Sequence, residues 1–151
     1  MNLILSNDGL KHDSSDSEIY INSDQSVYEV IRVVDGIALF LEDHFERLEK
    51  SMQIQGLRFQ MIYAEFKQNL AELVRQNQKT EGNIKFVYSV VEGNIRWTFG
   101  FIPHSYPSKD DYLSGVTTDL ILAERRNPNA KVIQAGIRGE ANQLISDRKL
   151  Y

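Results

Sequence analysis

The sequence predicts an α+β fold: a two-layer domain in which an antiparallel sheet carries two helices on one face, with a further helix near the C-terminus. Three stretches carry that prediction. Residues 27–41 read as two strands around a tight turn, and residues 43–77 hold two segments of helical period. Residues 84–103 read as a long hairpin rich in aromatic and β-branched residues.

Leu3, Ile4 and Leu5 form a short apolar strand that Asn7-Asp8-Gly9 closes with a turn. Lys11 to Ser17 is polar and reads as a solvated loop. Val27, Glu29, Ile31 and Val33 then alternate with Tyr28, Val30, Arg32 and Val34, the period of a strand with two distinct faces. Asp35-Gly36 supplies a two-residue turn that tolerates positive φ, and residues 37–41 return as the second strand. Glu42 or Asp43 is placed to cap a helix over 43–56. Leu41, Phe45, Leu48 and Met52 form its apolar face, with His44, Arg47 and Ser51 on a neighbouring polar face. A second helix over 61–77 presents Ile62, Phe66, Leu70, Leu73 and Val74 as a packing stripe.

Residues 84–91 and 95–103 pair across Glu92-Gly93-Asn94. Pro103 and Pro107 interrupt the next stretch, leaving at most a turn of helix over 110–113, and residues 116–124 read as another strand. Arg125-Arg126-Asn127-Pro128-Asn129-Ala130 is a loop. A helix over 131–148 closes the chain, with Val132, Ile133, Ile137, Leu144 and Ile145 among its apolar positions.

A net charge of −4 over 151 residues argues against binding to a phosphate backbone. With no cysteine there is neither a disulfide nor thiol chemistry. The opening residues lack the basic and apolar regions of a signal peptide, and no apolar run reaches the roughly 20 residues of a membrane span. A cytoplasmic protein is the expectation.

VYEVIRVVDG followed by LEDHFERLEKS resembles the N-terminal domain of the fold-type-IV, pyridoxal-phosphate-dependent enzymes. That family includes branched-chain aminotransferases, D-amino-acid transaminases and aminodeoxychorismate lyases. The resemblance rests on Tyr28-Glu29, Asp35-Gly36, and the run His44, Arg47, Leu48 and Ser51. It implies a small α+β domain over 1–124, an interdomain linker over 125–130, and the first helix of a truncated larger domain over 131–151. Ser23-Asp24-Gln25-Ser26 departs from the family, which has glycines there. The larger domain would supply the acidic partner of the pyridine nitrogen, so the chain is expected to be weakly active or inactive alone.

On the residues alone, Arg47 reads as a solvated helix arginine paired with Asp43; the resemblance implies instead that it contacts the cofactor phosphate. His44 is expected to make a structural hydrogen bond. Lys131 is a surface lysine at a helix start on one reading. On the other it is the catalytic amine, since the family's lysine follows the linker and precedes the next strand at about the distance from Lys131 to Tyr151. Tyr28 is either a core aromatic or a border of the substrate pocket. Glu29 reads as a buried carboxylate in need of a partner such as an arginine. His104, Tyr106, Arg125 and Arg126 lie where they could meet an acidic substrate.

The implied function is amino-group transfer from a branched-chain or other amino acid to a 2-oxo acid through a lysine aldimine, with pyridoxal 5′-phosphate as cofactor. An aminodeoxychorismate lyase of the same family, releasing 4-aminobenzoate and pyruvate, is one alternative. A non-catalytic dimerising α+β module is another. A homodimer is expected in each case, because the apolar positions of the last helix would lack their usual cover.

Overall fold

The computed structural model describes residues 2–14, 26–91, 93–124, 128–132 and 135–151. The expectations for Ser15 to Ser17, Ser23 to Gln25, Glu92, Arg125 to Asn127 and Ile133 lie outside them. The strands are β1 (Leu3–Ser6), β2 (Gly9–His12), β3 (Val27–Val34), β4 (Ile37–Ala38), β5 (Gly82–Val91) and β6 (Asn94–Ile102). The helices are α1 (Leu41–Ile54), α2 (Tyr63–Asn77), α3 (Lys109–Ser114) and α4 (Ala135–Arg148). All six strands form one antiparallel sheet in the order β2-β1-β6-β5-β3-β4.

The alternation in β3 has the expected consequence. Val27, Glu29, Ile31 and Val33 are buried on the face that α1 and α2 cover, and their neighbours are half-buried on the other. Leu41, Phe45, Leu48 and Met52 of α1 close over that face with Phe66, Leu70 and Leu73 of α2. The centre is aromatic: Phe86 and Phe99, paired across β5 and β6, lie 4.5 Å apart by ring centroid, and Phe66 sits 5.1 Å from each. Burying an aliphatic or aromatic side chain of this kind contributes about 1.5–3 kcal/mol, so this face holds the domain together. Gly82 is where the aromatic layer meets the backbone. A Cβ there would lie 2.9 Å from Phe101 Cδ1, and φ is +150°.

Several sequence expectations need correction. Gly9–His12 is a strand, where a loop was expected from Lys11 onward; its side chains are all exposed on the sheet edge, so no alternation marks it. The second strand of the 27–41 unit stops at Ala38. Phe40 then takes a left-handed conformation (φ 52°) as the residue before α1, with no side-chain cap. Glu42 and Asp43 are therefore inside the first turn, where they favour the positive helix end but do not cap it. Ile62 lies just outside α2 and is exposed.

Residues 116–124 form no strand. Val116, Leu120 and Leu122 show the spacing of one, yet they are exposed, because the segment joins no sheet edge. It touches the C-terminal end instead, through Tyr151 N donating to Thr117 O and an Arg148–Asp119 ion pair.

The last helix begins at Ala135, not at Lys131. Lys131 and Val132 are extended: Val132 bridges Val27, and Lys131 O accepts from Tyr28 N at 3.1 Å. β4 pairs only with Val33 and Val34, which leaves the other end of the β3 edge open to this crossing. Val132 is consequently buried and does not belong to an exposed helical stripe.

Candidate functional site

The site is built on one buried carboxylate. Glu29 is placed by strand alternation on the helix-covered face, opposite Phe86, and its side chain has no exposure to solvent. An ionised carboxylate there is costly unless donors surround it. Three residues answer that need. Arg47 donates from Nε to Oε1 at 2.8 Å and from Nη2 to Oε2 at 2.5 Å, a bidentate fork. His44 Nδ1 lies 2.7 Å from Oε2, and Lys131 Nζ lies 3.6 Å from the same oxygen. His44 and Arg47 stand one turn apart on α1, so a single helix face delivers both.

The proton on His44 follows from this geometry. A carboxylate can only accept, so Nδ1 donates to Glu29. The 3.1 Å approach of Arg47 Nη2 to His44 Nδ1 is then two donors converging on one oxygen, not a bond between them. Burial pushes the Glu29 carboxyl up, but the hydrogen bonds of Arg47 and His44 and the charges of Lys131 and Arg47 outweigh it and hold the group below its ordinary value. Arg47 is raised in turn, chiefly by its bond to Glu29.

Lys131 is held by its backbone as well as its charge. Its N–H donates to Ser51 Oγ at 2.9 Å, and its C=O accepts from Tyr28 N. Its Nζ lies 5.4 Å from the Tyr28 ring centroid, and Lys85 Nζ lies 5.7 Å from that centroid. Tyr28 points to the sheet face opposite Glu29, so the Lys131 side chain spans the edge of β3 between the two. Burial lowers the pKa of Lys85, which stands beside Val30 on β5.

The structure thus brings Tyr28, Arg47 and Lys131 to one sheet edge around Glu29. Arg47 pairs with Glu29 and not with Asp43 as the helix spacing alone suggested, while its side chain remains half exposed (49%). His44 makes the expected structural bond. His104 and Tyr106 lie elsewhere: Tyr106 bonds Asn83 and stacks under Arg32, at the other end of β3. Two neighbours had no role assigned from sequence. Ser51 shares the His44–Arg47 face, which was a signal, whereas Lys85 on β5 gave none. Among the described residues no His/Asp/Glu cluster could hold a metal, and no helix is long and apolar enough to cross a membrane.

Comparison with known proteins adds one family model, one sequence relative and two solved structures. A family model described as amino-transferase class IV matches residues 26–149. A D-alanine aminotransferase from Bacillus licheniformis is 43% identical over 58 residues, which is 38% of this chain and 20% of that protein. Among solved structures, a branched-chain aminotransferase from Thermoproteus uzoniensis superposes with a TM-score of 0.72 at 20% identity, covering 97% of this chain and 55% of that one. The Escherichia coli branched-chain amino acid aminotransferase gives 0.60 at 19% identity, covering 72% and 42%. These structures share the fold, and this chain spans about half of their length or less.

Proposed function

The chain belongs to the class IV amino-transferase family, and on that basis we propose that it carries one share of a pyridoxal 5′-phosphate site that passes an amino group from an amino acid to a 2-oxo acid. The observation that supports this reading is the meeting of Arg47 and Lys131 at the single carboxylate of Glu29. One solved branched-chain aminotransferase that shares the fold carries pyridoxamine 5′-phosphate.

The donor set fits such a group. Arg47 spends Nε and Nη2 on Glu29, and its half-exposed guanidinium keeps a further nitrogen for a phosphate oxygen. Tyr28 offers a ring face beside the amine. When bound, the cofactor supplies an aldehyde for a primary amine and a ring that takes up electrons. The chain's own residues do the rest. Lys131 must lose a proton before its amine can act. At 3.6 Å its contact with Glu29 is an attraction between charges beyond hydrogen-bond distance. Both Glu29 oxygens already serve Arg47, and His44 takes a second place on Oε2. The carboxylate therefore bonds the arginine directly and draws the lysine in by charge, which brings to one place a phosphate donor and the amine that would carry the substrate's proton. Tyr28 borders the substrate on the opposite sheet face.

The reading extends to the partners: an amino acid and a 2-oxo acid, and a second copy of the chain against the exposed apolar side chains of Tyr112, Leu113, Leu120 and Leu122. The test is a single turnover of the chain mixed with pyridoxal phosphate and L-leucine or D-alanine. Formation of the matching 2-oxo acid, up to one per chain, is expected. Release of 4-aminobenzoate and pyruvate from aminodeoxychorismate would instead identify the lyase of the same family. No product from either substrate, together with no absorbance band on adding pyridoxal phosphate, would favour a non-catalytic dimerising module.

A further inference from the structure

We infer that Ser51 is a positioning residue for Lys131: its hydroxyl sets where the lysine backbone crosses the edge of β3, and so where the amine arrives. The inference rests on the reading of Lys131 as the reactive amine.

Ser51 has no solvent exposure. Its Oγ accepts the Lys131 N–H across 80 residues of sequence at 2.9 Å. The Lys131 carbonyl is taken on the other side by Tyr28 N, and Val132 bridges Val27. The lysine backbone is thus gripped from α1 through its N–H and from β3 through its C=O. Ala130 and Val132 on either side are buried, so the crossing is packed as well as bonded.

Arg47 lies one helical turn before Ser51 on the same face of α1. That face therefore places both cations, Arg47 by its own side chain and Lys131 by the serine it offers. A one-residue slip of the crossing would turn the side chain at position 131 to the other side of the edge, away from Glu29. Valine or alanine at position 51 would fill comparable space but accept nothing, leaving the Lys131 N–H to lose its partner. The chemistry asks for a small hydroxyl residue here, and helix packing alone does not.

The experiment is reductive labelling of the full chain with pyridoxal phosphate and borohydride, read lysine by lysine by peptide mass spectrometry. In this probe the amine adds to the aldehyde carbon, water leaves, and borohydride delivers hydride to that carbon. Lys50, which is exposed on α1, serves as the internal control. Labelling in the unmodified chain is expected to favour Lys131. Ser51→Ala should slow it at Lys131 by about tenfold, as misplacement of a reacting group does, with Lys50 unchanged. Ser51→Thr, which keeps the hydroxyl, should restore most of the rate.

Equal Lys131 labelling in the unmodified chain and Ser51→Ala overturns the role of Ser51 and leaves the reading of Lys131 standing. No preference for Lys131 in the unmodified chain overturns that reading and this inference with it. Should the variants fold poorly, amide hydrogen exchange of the unmodified chain decides the matter. The Lys131 amide is expected to be protected, and fast exchange there would overturn the inference.

Discussion

Replacing Arg47 by Met keeps an apolar stem but removes both donors from Glu29, and its cost can be worked from the structure. Each hydrogen bond to a charged group contributes about 1.5–3 kcal/mol, so the fork has a gross value of about 3–6 kcal/mol. Arg47 is half exposed, and solvent screening reduces its share. His44 and Lys131 still face the carboxylate and recover part of the loss. The expected destabilisation is therefore about 2–4 kcal/mol at neutral pH, within the range for breaking a buried ion pair. Glu29→Gln in the same background removes the stranded charge and should recover about 1–3 kcal/mol as a coupling energy. The sign of the pH dependence is fixed as well. Glu29 is held below its ordinary value of 4.5, so its contribution is present above that pH and is lost as pH falls through the folded value. The gap between the unmodified chain and Arg47→Met must narrow under acid. Urea unfolding across pH measures all of this. A cost under about 0.5 kcal/mol, the level of an ordinary surface substitution, would refute the reasoning, as would a gap independent of pH.

Other outcomes rest on the same structure. Lys131→Met should cost less than Arg47→Met in urea unfolding, because Lys131 meets Glu29 by one attraction at 3.6 Å whereas Arg47 makes two hydrogen bonds to it. Gly82→Ala drives a methyl against the Phe101 ring at a strained φ, and should lower stability by about 1–3 kcal/mol. Leu122→Asp, at a fully exposed position, should shift sedimentation toward monomer. A monomeric unmodified chain would remove the dimer from the account.

The sheet and its helix cover were legible because the burial pattern is periodic. Glu29 stood out as an acidic residue at an inward position of an apolar strand, and its need for an arginine was readable from charge alone. That the arginine would be Arg47 was not, since helix spacing offered Asp43 and the true partner lies on β3. β2 was illegible because an exposed edge strand has no face to bury. Residues 116–124 are the opposite case: they carry strand alternation but pair with no strand of the sheet. The crossing at Lys131 looked like a helix start because Val132 and the residues after it fit a helical stripe. Its extended form is imposed by long-range bonds to Ser51 and Tyr28, which no local window contains.

The central claim is that Glu29, Arg47 and Lys131 form the chain's share of a cofactor site, and a titration with pyridoxal phosphate followed by visible absorbance tests it most directly. The account predicts a band that borohydride bleaches, with the label retained on the Lys131 peptide. That band should be lost in Lys131→Ala, and in Arg47→Met it should need a clearly higher cofactor concentration, as the loss of a charged phosphate donor requires. A band that persists in Lys131→Ala, or no band in the unmodified chain at any cofactor concentration, would contradict it.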